Sequence, residues 1–121
     1  MKPVVFADLV GQTLESVLGA IVDNDVILFK TTSGRLFKMY HSQDCCESIR
    51  INDITGDIPD LIGVSILTAE ETSSHDEVTD FESSTWTFYR IGTIKGSVVI
   101  RWLGESNGCY SESVEFEEVT E

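Results

Sequence analysis

The sequence predicts a mainly β single domain: an antiparallel sheet curled into a half-barrel or small sandwich, with about seven strands and one short helical turn. Three observations predict it. Apolar and polar residues alternate with a period of two in "RLFKMYH", "ESIRIND", "TWTFYRIGT" and "SVVIRWLGE". The turn signatures "DND", "SG", "KG" and "SNG" separate such runs at short intervals. No stretch sustains a helical spacing of apolar residues.

The elements follow in order. "ADLVGQTLESVLGA" has weak helical spacing at Leu9, Leu14, Val17 and Leu18, but Gly11, Gly19 and its β-branched residues argue for a short turn running into a strand. That strand, "SVLGAIV", ends at "DND" (23–25). "VILFKTT" (26–32) and "RLFKMYH" (35–41) flank "SG" as a tight hairpin. Phe37, Met39 and His41 share one face of the second strand, Leu36, Lys38 and Tyr40 the other. Two partly apolar faces place it inside a sheet. In 47–53, Ile49 and Ile51 alternate with Arg50 and Asn52, as in a half-buried strand. "DIPDLIG" (57–63) reads as one helical turn, with Asp57 as N-cap and Pro59 early in the turn.

"VSILTAEETSS" then reads as a strand fading into an acidic mobile loop, which makes 70–84 the loop segment. The last third reads as a meander of three strands. Trp86, Phe88 and Arg90 oppose Thr87, Tyr89 and Ile91 in the first, and Val98, Ile100 and Trp102 share a face in the second. A turn at "SNG" leads to the third, with Val114 and Phe116 on one face and an acidic tail at 117–121.

Composition bounds the function. The 121 residues fit one domain, and no apolar run approaches the length of a bilayer span. The start lacks the apolar core of a signal peptide, so a soluble cytoplasmic chain is expected. The three cysteines, Cys45, Cys46 and Cys109, are odd in number with two adjacent, which is no secreted disulfide framework and fits a reducing compartment. Charge is the strongest signal: 8 Lys and Arg against 21 Asp and Glu, a net of −13. No Lys or Arg occurs from Ile51 to Tyr89, whereas Glu70, Glu71, Asp76, Glu77, Asp80 and Glu82 do. Such a field repels nucleic acid backbones and anionic membranes and attracts basic partners. Solubility alone is the simpler account of it.

Two stretches carry chemically capable residues. "HSQDCCE" sets His41, Asp44, Cys45, Cys46 and Glu47 close together, but zinc sites use two compact Cys/His pairs and only one is present. Neighbouring cysteines in an extended chain point to opposite faces. Nucleophilic catalysis would need a cysteine, a base and an orienting group, and no recognised catalytic motif accompanies them. A structured polar corner between two strands is the preferred reading, with no metal or other cofactor. "RWLGESNGCYSES" gathers Arg101, Trp102, Glu105, Asn107 and Tyr110 around one turn, a mixture suited to a polar ligand or a protein contact. A solvated hairpin at Asn107-Gly108 explains the turn but not Arg101, which is expected to pair with a carboxylate across the sheet.

The blocks "YHSQDCCESIRINDITGDIPDLIG" and "TWTFYRIGTIKGSVVIRWLGESNGCYSES" resemble a family of small phage and prophage proteins catalogued as a domain of unknown function. The resemblance spans roughly residues 35–116. The family motifs are an aromatic-His followed by Asp-Cys-Cys-Glu, and Gly-Glu-Ser-Asn-Gly before two aromatics and Ser. They fall here on Tyr40, His41, Asp44, Cys45, Cys46 and Glu47, and on Gly104 to Gly108, Tyr110 and Ser111; Cys109 departs from the usual aromatic. The resemblance implies expression in the cytoplasm of an infected bacterium and no particular activity.

The leading expectation is therefore a non-enzymatic, phage-derived binding protein that inhibits a host defence component. Its acidic surface would occupy a basic groove on a host protein that otherwise takes nucleic acid, as an anti-CRISPR or other anti-defence protein does. A second reading is a sponge for a nucleotide-like signal, with Tyr40, His41, Arg101, Trp102 and Asn107 lining a pocket in a symmetric homo-oligomer. A third is a metal- or thiol-dependent enzyme at 41–47.

Overall fold

A computed structural model describes residues 2–41, 47–79, 82–106 and 113–119, with side chains over 4–41, 47–74, 84–106 and 113–119. Nine strands occur among the described residues: β1 (Lys2–Pro3), β2 (Leu14–Leu18), β3 (Val26–Thr31), β4 (Leu36–Tyr40), β5 (Ser48–Thr55), β6 (Thr68–Thr79), β7 (Glu82–Thr93), β8 (Gly96–Ser106) and β9 (Glu115–Val119). They form two antiparallel sheets, of order β1-β9-β4-β3-β2 and β5-β8-β7-β6. The protein is thus mainly β, and of the two expected forms it takes the sandwich.

One core lies between the sheets. Ile27, Phe29, Phe37, Met39 and Phe116 enter it from the first, and Ile49, Ile51, Tyr89, Ile91, Val98, Ile100 and Trp102 from the second. These are alternate residues of their strands, as period-two patterning requires. Phe116 stacks on Phe37 at 5.5 Å, and Phe6, from a 3₁₀ turn at Phe6–Leu9, packs edge-on against Tyr89 at 4.7 Å. The buried Trp102 Nε1 donates to Met39 Sδ at 3.2 Å across the sandwich.

The 26–40 hairpin forms as expected, and β4 lies inside its sheet between β3 and β9. The segment 57–63 holds a 3₁₀ turn, Ile58–Leu61, but Asp57 makes no side-chain cap bond; Pro59 in the first turn sets its entry. Gly56 just before it has φ 99°, and a Cβ there would lie 2.4 Å from the Ser97 carbonyl oxygen, so only glycine fits. The loop after β2 covers part of the free edge of β5: Asp23 N–H donates to Ile51 O and Ile51 N–H to Asn24 O, both at 2.8 Å.

Three expectations need correction. Residues 70–79 and 82–84 are strand rather than loop: β6 pairs with β7 from Thr68↔Gly92 to Thr79↔Glu82. Backbone pairing with β7 carries these polar residues, and it needs no apolar alternation. Of the expected 117–121 tail, residues 117–119 belong to β9, which pairs with both β4 and β1. Nor do β8 and β9 form a hairpin at "SNG"; β9 crosses to the other sheet, where Phe116 completes the aromatic cluster. Of the expected meander only β7 and β8 pair with each other, and β6 takes the place beside β7.

Candidate functional site

Both chemically suggestive stretches occupy the same end of the sandwich, where the chain changes sheets. His41 leaves β4, Glu47 precedes β5, Glu105 and Ser106 end β8, and Ser113 precedes β9. His41 Nδ1 lies 2.6 Å from Ser113 O. A carbonyl only accepts, so Nδ1 carries the proton. His41 Nε2 lies 3.2 Å from Glu47 Oε1, with the two side chains 4% and 1% exposed. The imidazole therefore ties the two crossovers together from inside. Asp44, Asn107 and Tyr110, with all three cysteines, lie outside the described residues. Among the described residues no group of three His, Cys, Asp or Glu side chains is placed to hold a metal ion.

The pocket expected from Tyr40, His41, Arg101 and Trp102 does not assemble from these four. Arg101 and Trp102 are neighbours on β8 and point to opposite faces, and Trp102 is wholly buried. Tyr40 stands on the outer face of the other sheet, where its hydroxyl donates to Glu117 Oε2 at 3.0 Å and Lys38 Nζ lies 4.2 Å from its ring centroid. Burial first, then Glu117, pushes its phenol up. Among the described residues Arg101 pairs with no carboxylate. Its Nε and Nη2 donate to Asn52 Oδ1 at 3.1 and 2.7 Å, because the bulge between Ile51 and Asp53 swings Asn52 toward it. The guanidinium also lies 5.1 Å above the Trp86 ring. Glu105 accepts from Arg50 Nη2 at 3.1 Å on the exposed surface.

The acidic residues follow a pattern that composition alone did not show. Glu70 and Glu71 are exposed on β6, and Asp76 and Glu77 continue along that strand. Glu82 begins β7; Asp80 lies outside the described residues. β6 ends its sheet, bonded to β7 on one side only. Glu71 stands opposite the inward Tyr89, and this partial burial pushes its carboxyl up.

Around Arg101, the outer face of the same sheet adds Trp86, Phe88, Arg90, Val99 and Leu103, which sequence reasoning did not single out as a site. Cross-strand register brings Trp86 beside Leu103, Phe88 beside Arg101 and Arg90 beside Val99, all half-buried or exposed. A groove of about 310 Å³ there is lined by Glu70, Thr72, Phe88, Arg90 and Val99. The signal was the alternation in "TWTFYRIGT", whose outward positions carry two aromatics, Trp86 and Phe88, against Tyr89 alone on the inward side.

The family described as Domain of unknown function (DUF7448) matches residues 7–116. The chain belongs to this family. No curated protein and no solved structure matches it.

Proposed function

We propose that the chain is a non-enzymatic binding protein that engages a basic protein surface through the acidic edge of β6. The observation that carries the reading is the place of the acidic stretch. Glu70, Glu71, Asp76 and Glu77 lie on a paired strand at the free edge of a sheet. A backbone held at strand spacing loses less freedom on binding than that of a loose loop. The unpaired backbone of an edge strand also offers hydrogen bonds to an extended segment. A Lys/Arg-rich groove or strand complements both features. Negative charge also protects edge strands from self-pairing, which accounts for the residues without any partner.

The biological role we propose is inhibition of a host defence component, by covering a basic surface that otherwise takes nucleic acid. What supports it is the resemblance to small phage and prophage proteins, together with the net charge of −13, which mimics a polyanion. No helix of the described residues is long and apolar enough to cross a membrane. Host-cell lysate passed over the immobilised chain at low salt, then eluted stepwise with salt, tests the reading. A basic protein should be retained, released by salt, and lost with the Glu71→Lys/Asp76→Lys/Glu77→Lys variant. A partner held equally by that variant would overturn it.

A further inference from the structure

We propose that the outer face of the β5-β8-β7-β6 sheet is a self-complementary interface that joins two copies of this chain face to face. An antiparallel sheet with one side in water normally alternates apolar-in and polar-out. Here the outward rows carry Trp86, Phe88, Val99 and Leu103 along the two central strands. Aromatic and arginine side chains are the types enriched where proteins meet.

Charge singles out a second copy as the occupant. The chain as a whole carries −13 and repels itself. The described side chains of this face are the exception: Arg50, Arg90 and Arg101 stand there against Asp53, Glu70 and Glu105, with Arg50 and Glu105 already paired. A nucleic acid would meet those carboxylates and the acidic edge beside them, and a basic partner would meet the arginines. An isologous contact instead needs both signs side by side on one patch, so that each copy's cation meets the other's anion. Glu70 and Arg90 meet that need. They are directly opposite across β6 and β7 and line one groove, yet they make no ion pair with each other. Arg101, held by Asn52 and laid over Trp86, is already ordered and adds a flat surface at low entropic cost. Stacking two faces takes up Glu70 but leaves the backbone edge of both β6 strands open, so a dimer would present that edge twice. The interface stands independently of what the edge binds.

Analytical ultracentrifugation of the full chain across a concentration series tests this, with circular dichroism confirming that each variant folds. The wild type should be a dimer. Arg90→Glu and Glu70→Arg, each placing like charges together twice across the two-fold axis, should each weaken it more than about tenfold. The double swap Glu70→Arg/Arg90→Glu should restore it. A wild type that stays monomeric overturns the proposal, including one whose face captures an acidic peptide or a single-stranded oligonucleotide instead. So does a dimer indifferent to both single changes, or one that the double swap fails to recover.

Discussion

Tyr89 shows how much a single position can hold in tension. Its ring fills the core against Phe6, but its hydroxyl is buried with no hydrogen-bond partner among the described residues. Burial first, then the charge of Glu71, pushes the phenol up. Tyr89→Phe keeps the packing and removes an unsatisfied group, so it should stabilise by about 1 kcal/mol and raise Tm by about 4 °C, read by thermal melting. Glu71 gives a pH signature. A carboxyl raised in the folded state contributes stability below its unfolded value and loses it as pH rises through its folded value. Glu71→Gln should therefore flatten the decline in stability above the carboxylate range, as denaturant midpoints measured across pH would show. At His41 the ring bridges Ser113 and Glu47 from a buried position. His41→Ala should cost about 3 kcal/mol, since it cuts a buried polar link between the crossovers. Equal stability in urea melts would deny it that role.

The elements show where pattern reading succeeds and where it stops. The 26–40 hairpin was legible because Ser33-Gly34 supplies the turn, Gly34 at φ 92°, between two alternating runs. The turn at 57–63 was legible from Pro59, and β7 and β8 from their inward Tyr89, Ile91, Val98, Ile100 and Trp102. β6 was legible only through "VSILTAEETSS"; its continuation was not, because "HDEVT" has no apolar alternation: an edge strand buries little and is held by its neighbour's backbone. The destination of β9 was hidden for another reason. Local pattern says that a segment is extended, not which distant strand it joins, and β9 pairs with β4 far earlier in the chain (Tyr40↔Glu115). Arg35 reinforces that pairing, its Nε and Nη2 donating to Glu118 at 3.0 and 3.1 Å. The junction before the Ile58–Leu61 turn is the least tolerant element boundary. Gly56→Ala meets both a positive φ and the Ser97 carbonyl, and should destabilise by about 2 kcal/mol or more. Chemical denaturation would register that loss.

For the whole molecule, the two-sheet sandwich sorts the sequence's suggestive residues into separate jobs. Trp102 is core, His41 and Glu47 fasten the crossovers, and Tyr40 and Arg101 stand on outward faces of different sheets. A site inferred from neighbours in sequence dissolved because adjacent strand residues face opposite ways. The acidic composition, by contrast, became more specific in three dimensions, since part of it lines one free edge. The measurement that bears most directly on the acidic-edge reading is salt-stepped affinity capture from host lysate, run in parallel on the wild type and on Glu71→Lys/Asp76→Lys/Glu77→Lys. The account predicts a basic protein retained by the wild type alone and released as ionic strength rises. Binding that survives both the charge reversal and high salt would contradict it.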